Sequence, residues 1–193
     1  EITFAEGSHL KEIKNYAFRQ TGVSELELPE STNNITLGTD LFQYCPNLEE
    51  VYLSSSVTSI NDTFGHCGSL QRVIVDENNQ NFKVDGNALY NQNKTAIQYL
   101  FESANVDEEG VYRIADGVTE IGTAAFRGQV DIKKLIIPAS VSKIGKYAFR
   151  YCVNLEEIEF DLADSQLSEI AESAFEGCSS LKSVKLPVAV KTL

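Results

Sequence analysis

The sequence predicts a repeat solenoid, α/β or mainly β, occupying residues 1–193 as a single domain. Three observations predict it. Phe recurs as Phe18, Phe42, Phe64, Phe126, Phe149 and Phe175, in steps of 24, 22, 62, 23 and 26 residues. Each Phe carries the same apolar company at near-constant offsets, and self-similarity at this period is the mark of stacked repeats. The composition, 42% hydrophobic and 23% charged, is that of a folded chain, so the repetition is structural rather than low-complexity.

The elements follow in order along one cassette. An apolar pair three residues apart opens it: Leu10 and Ile13, Val57 and Ile60, Val118 and Ile121, Val141 and Ile144, Leu167 and Ile170. This short extended piece leads into a tight helical or 3₁₀ turn that carries the Phe. Three residues later stands Cys45, Cys67, Cys152 or Cys178, replaced by Thr21 and Gln129 in the other two copies. Next come Leu48, Leu70, Ile132, Leu155 or Leu181, and then a strand with an alternating apolar pair: Val51 and Leu53, Val73 and Val75, Leu135 and Ile137, Ile158 and Phe160, Val184 and Leu186. The first copy, one residue shorter, gives Val23, Leu26 and Leu28. Pro29, Pro138 and Pro187 follow the strand and end its pairing. One cassette cannot bury these side chains alone, whereas stacked copies bury them against each other.

Three segments result: regular repeats over 1–75, an irregular repeat over 76–110, and regular repeats over 111–193 that stop short. In the middle segment two β-prone pieces flank the polar stretch Asn91–Lys94, which predicts a hairpin protruding from the coil. Ile2-Thr3-Phe4 reads as the strand of an incomplete first repeat, and Val188 to Leu193 as the start of another. Solenoids need polar end caps; neither end supplies one, so a longer native protein is expected.

The run Leu135-Ile136-Ile137-Pro138-Ala139-Ser140-Val141-Ser142-Lys143-Ile144-Gly145 with Ala148-Phe149, and the run Ala174-Phe175-Glu176-Gly177-Cys178-Ser179-Ser180-Leu181, closely resemble the BspA-like leucine-rich repeat family. The resemblance extends over nearly the whole chain. It implies a right-handed leucine-rich-repeat superhelix, with short parallel strands on the concave face and short extended or 3₁₀/helical turns on the convex side. It also implies a bacterial protein, extracellular or on the cell surface. The chain departs from better-known leucine-rich repeats in lacking a buried Asn ladder, so their curvature is not carried over.

Charge and motifs exclude several classes. Lys plus Arg is 16 against 28 Asp plus Glu, a net charge of −12, which is unsuited to sequence-independent nucleic-acid binding. No apolar run approaches the ~20 residues of a spanning helix, so no membrane insertion is expected in this segment. His66 next to Cys67 invites a thiol–imidazole pair, but the equivalent positions hold Tyr44, Tyr151 and Gly177, which marks a tolerant loop site. The four Cys fall on equivalent rungs of neighbouring coils, where side chains point the same way; four buried free thiols are expected rather than disulfides. Asp76, Glu77, Asp85 and Asp107-Glu108-Glu109 do not match a calcium loop. The sequence therefore predicts no catalytic site, no cofactor and no metal.

Partner binding is placed on the concave stripe, with the 76–110 insert as the other candidate surface. By period-two alternation, the strand residues between the buried ones face outward: Glu25 and Glu27, Glu50 and Tyr52, Arg72 and Ile74, Arg113, Lys134 and Ile136, Glu157 and Glu159, Ser183 and Lys185. Tyr52, Ile74 and Ile136 are apolar groups set among charges on this stripe. The reading is a non-enzymatic monomer that recognises an extracellular protein or glycan, in adhesion to a host or to neighbouring microbes. The alternative is a passive spacer or display arm of a larger surface protein.

Overall fold

A computed structural model describes residues 2–65, 67–101 and 106–193. Among them the chain is all strand and turn, wound into a parallel β-solenoid of about seven turns. Fifteen short strands follow one another: β1 (Glu12–Ile13), β2 (Glu25–Glu27), β3 (Ile35–Leu37), β4 (Glu50–Leu53), β5 (Val57–Ile60), β6 (Arg72–Val75), β7 (Phe82–Asp85), β8 (Ala88–Asn91), β9 (Ala96–Leu100), β10 (Val111–Arg113), β11 (Glu120–Ile121), β12 (Lys134–Ile137), β13 (Lys143–Ile144), β14 (Glu157–Phe160) and β15 (Glu169–Ile170).

The cassette register becomes spatial register. Strands β2, β4 and β6 pair in parallel with Leu26, Val51 and Val73 side by side, and β10, β12 and β14 pair with Tyr112, Leu135 and Ile158 aligned. All six of these side chains are buried. The opening piece of each cassette makes side sheets, β1–β3–β5 and β15–β13–β11–β9–β8–β7. Ile2 forms an isolated parallel bridge with Leu26, so it lies beside the first complete coil.

The turn carrying each Phe is not helical, and the backbone shows why. Around Phe18, Phe42, Phe126, Phe149 and Phe175 the residues two before and two after adopt left-handed φ: Tyr16 and Gln20, Asp40 and Tyr44, Ala124 and Gly128, Tyr147 and Tyr151, Ser173 and Gly177. A right-handed turn bounded on both sides this way cannot propagate. Backbone N–H groups instead reach the next coil. Tyr16, Phe18 and Gln20 donate to the carbonyls of Thr39, Leu41 and Gln43, and Tyr147, Phe149 and Tyr151 to those of Glu172, Ala174 and Glu176.

Inside these turns the Phe rings stack. Phe18, Phe42 and Phe64 follow at 5.7 and 6.0 Å between ring centres, and Phe126, Phe149 and Phe175 at 5.0 and 5.4 Å. All four Cys are buried and free. Each thiol donates to the carbonyl of the Phe one coil earlier: Cys45 to Phe18 (2.9 Å), Cys67 to Phe42 (3.2 Å), Cys152 to Phe126 (3.1 Å) and Cys178 to Phe149 (3.1 Å). This explains a small donor three residues after the Phe. Gln129, in the same place, spans the irregular coil and donates to the carbonyl of Leu100 at 2.7 Å.

The irregular repeat is built into the side sheet. The Asn91–Lys94 turn joins the antiparallel pair β8 and β9, and Gly86-Asn87 turns β7 back against β8. Ala88, Leu89 and Tyr90 are buried, so these strands extend the sheet rather than stand away from it. Strand β9 then pairs in parallel with β11 and restores the stacking. Tyr99 closes over the end of the first ring ladder, its ring 5.1 Å from Phe64 and its hydroxyl donating to the Phe64 carbonyl.

Candidate functional site

The predicted stripe is realised as two separate patches. Glu27, Glu50, Tyr52, Arg72 and Ile74 lie on the β2–β4–β6 sheet, where Glu25, Glu50 and Arg72 align across strands, as do Glu27, Tyr52 and Ile74. Arg113, Lys134, Ile136, Glu157 and Glu159 lie on the β10–β12–β14 sheet, with Arg113, Ile136 and Glu159 aligned. β6 and β10 do not pair, because the irregular repeat gives its strands to the side sheet. Lys185 is exposed and belongs to neither sheet.

The two patches differ in charge and in fixation. On the first, Arg72 pairs with Glu50, and the Tyr52 hydroxyl donates to Asp76 at 2.5 Å. That bond pushes the Tyr52 phenol up to about 12 and draws the Asp76 carboxyl below its ordinary range. Glu30 accepts from the Ser55 hydroxyl at 2.6 Å, which lowers its carboxyl. With Glu25 and Glu27 exposed beside them, this surface is predominantly acidic. On the second, Lys134 bridges Glu157 at 2.9 Å and Glu159 at 2.8 Å, and Arg113 stands alongside. Tyr52, Ile74 and Ile136 are half-buried, each offering one apolar face between charges.

Sequence reasoning missed two polar features of the turns. The first is a buried clasp. Arg127 Nη1 donates to Asp40 Oδ1 at 2.8 Å and also to Asp62 Oδ2, with the Arg127 side chain only 4% exposed. Gln43 donates to the same Asp40 oxygen at 3.0 Å. Gly65 lies against all three charged groups; a Cβ there would fall 2.7 Å from Arg127 Nη1 and 2.8 Å from each carboxylate. Burial pushes the Asp62 carboxyl up to about 6, with Asp40 adding to the rise and Arg127 opposing it. Arg127 also lines a cleft of about 400 Å³, together with Tyr44, Leu70, Tyr99 and Phe101.

The second feature is a pair of aromatic–cation stacks. The tetrapeptide Tyr-Ala-Phe-Arg occurs twice, at 16–19 and 147–150. The Arg19 guanidinium lies 5.7 Å from the ring centres of both Tyr16 and Tyr44, and that of Arg150 lies 4.8 Å from those of Tyr147 and Tyr151. Arg127 occupies the same place after its Phe. There Ala124 stands where the tyrosines stand, and the guanidinium turns inward to the two aspartates. The recurrence of this tetrapeptide was the available signal.

His66 lies outside the described residues. Its neighbour Cys67 is inside the core, and burial pushes its thiol far above the ordinary range, away from the thiolate form that nucleophilic chemistry requires. Among the described residues no three His, Cys, Asp or Glu side chains converge as metal ligands, and no helix is long and apolar enough to cross a membrane.

The coils, the ring ladders and the thiol ladder together define the class, a parallel β-solenoid built from one leucine-rich cassette. The chain belongs to the BspA type leucine rich repeat family: residues 1–109 and 94–193 match it, in six copies. No curated protein matches this chain. Among solved structures it is similar to the pneumococcal vaccine antigen PcpA, with 28% identity and a TM-score of 0.75 over 98% of this chain and 51% of that one. It is also similar to a leucine rich cell surface protein from Faecalibacterium prausnitzii, with 25% identity and a TM-score of 0.67 over 93% of this chain and 52% of that one. A leucine-rich repeat protein from Eubacterium ventriosum, 22% identical with a TM-score of 0.65 over 94% of this chain and 59% of that one, shares the fold. The chain thus spans about half the length of the first two.

Proposed function

We propose that this chain is a non-enzymatic recognition module, secreted or displayed on a bacterial surface, that holds an extracellular protein or glycan in adhesion. The observation that carries the proposal is the pair of strand patches, on which half-buried Tyr52, Ile74 and Ile136 sit among charged side chains fixed by ion pairs. Repeat solenoids offer such extended surfaces to macromolecular partners. Similarity to a cell surface leucine rich protein supports the location.

Surface plasmon resonance against matrix proteins and bacterial surface extracts tests the reading. Saturable binding that Tyr52→Ala or Ile136→Ala weakens is the expected result. Absence of saturable binding, or binding that both variants leave intact, overturns it in favour of a passive spacer.

A further inference from the structure

We propose that the outer turns carry a second binding surface, separate from the strand patches, that takes a polysaccharide across the two tyrosine–arginine stacks. The argument starts from the backbone. Four bulky residues, Tyr16, Tyr44, Tyr147 and Tyr151, hold φ between 59° and 63°, where a side chain is disfavoured. The fold does not need tyrosine at these places, since Gly128 and Gly177 stand where Tyr44 and Tyr151 do, and Asp40, Ala124 and Ser173 stand where Tyr16 and Tyr147 do. Unfavourable backbone geometry at an exposed aromatic points to a use for the ring rather than for the turn. Tyr16 is 50% exposed, Tyr44 48% and Tyr151 36%, while Tyr147 is half-buried.

The rings are also pre-set. Arg19 and Arg150 each lie between two tyrosines, Arg150 is further tied to Glu176 at 2.7 Å, and Lys146 sits 4.8 Å from the Tyr147 ring centre and 2.8 Å from Glu172. Tyr151 lies against the next coil: a Cβ at Gly177 would run into its ring at Cδ1. Such fixed aromatic surfaces are ordered before binding, so little conformational entropy is lost when a ligand docks.

The ligand class follows from the chemistry and from the duplication. A pyranose ring offers an apolar C–H face to an aromatic ring and a hydroxyl rim to a guanidinium or carboxylate. The two stacks repeat one tetrapeptide in the same column of turns, about five coils apart, or roughly 24 Å at ~4.8 Å per coil. Two like sites at a fixed spacing suit a ligand that itself repeats. Linked engagement of both would strengthen binding without any new contact.

The test uses the 193-residue chain with a neutral galactomannan and with hyaluronan, each beside its own disaccharide, by isothermal titration and affinity electrophoresis. Saturable binding to at least one polymer is expected, with its disaccharide, too short to reach both stacks, at least about tenfold weaker. Tyr16→Gly or Tyr147→Gly should weaken polymer binding about tenfold or more, and the double variant should abolish it. Their melting temperatures should hold or rise, because Gly is at ease at positive φ. Arg19→Gln, which leaves the backbone untouched, should weaken binding in the same direction. Tyr52→Ala should leave polymer binding unchanged, which separates this surface from the strand patches. Failure of both polymers to bind, or wild-type affinity in the Tyr16→Gly/Tyr147→Gly variant, overturns the proposal.

Discussion

Regular coils and the irregular junction close their turns in different ways. Within each regular block, a thiol from one coil caps the Phe carbonyl of the coil before it, and the same bond recurs at Cys45, Cys67, Cys152 and Cys178. At the junction the period fails. Tyr99 covers Phe64 in place of another Phe, and Arg127 reaches Asp40 and Asp62, 87 and 65 residues away in sequence. The difference teaches that a repeat can satisfy its polar groups with one small residue per copy only while neighbours are alike. Where an insertion separates them, a single long-range cluster does the work, and it carries a buried net negative charge.

That contrast can be broken from either side, and the largest effect should come from the ladder. Phe149→Ala removes a fully buried ring lying between Phe126 and Phe175, and should cost about 4 kcal/mol in chemical denaturation. Arg127→Met should cost about 3 kcal/mol, because it leaves two buried carboxylates without the cation bonded to both. The penalty should be larger at pH 8 than at pH 5, where protonation of Asp62 relieves part of it.

The clasp also sets a pH dependence of its own. The Asp62 carboxyl is raised from an ordinary value of 3.8 to about 6. A raised acid binds its proton more tightly folded than unfolded. Its contribution to stability is therefore full below about pH 4 and is lost as pH rises through 6, a fall on the order of 2–3 kcal/mol. Denaturation between pH 4 and 7 should show this slope in the wild type and a flatter one in Asp62→Asn. A slope unchanged by that substitution would place the titration elsewhere.

Smaller effects sharpen the comparison. Cys152→Ala should cost about 1 kcal/mol by removing one of two donors to the buried Phe126 carbonyl, the Gln129 N–H remaining, and should do so independently of pH. Arg72→Ala, at an exposed pair on the first strand patch, should change stability by less than about 1 kcal/mol. A large effect there would mean that the patch is structural rather than free for a partner.

Much of this architecture was legible in the letters. The Phe, Cys and alternating apolar positions repeat at fixed offsets, and stacking converts equal offsets into contact. The turn at Asn91–Lys94 was legible too, since the Asn91 carboxamide oxygen accepts from the Thr95 and Ala96 N–H groups at 2.8 and 3.0 Å, a local device. The candidate stripe was legible residue by residue but not as two patches. Which sheet receives the strands of the irregular repeat depends on long-range pairing of β9 with β11, and no local pattern encodes that choice.

The sequence by itself thus determined the cassette, its burial pattern and the reduced thiols, because a repeat touches mainly its own copies and nearest neighbours. Only the tertiary structure decided the left-handed backbone around five of the Phe turns, at Phe18, Phe42, Phe126, Phe149 and Phe175, the split of the strand face, and the direction taken by three equivalent arginines. Arg19 and Arg150 stack outward between tyrosines while Arg127 turns inward to a pair of aspartates. The same residue at the same offset takes opposite paths because its fate depends on what lies on other coils, and that information is absent from any one copy.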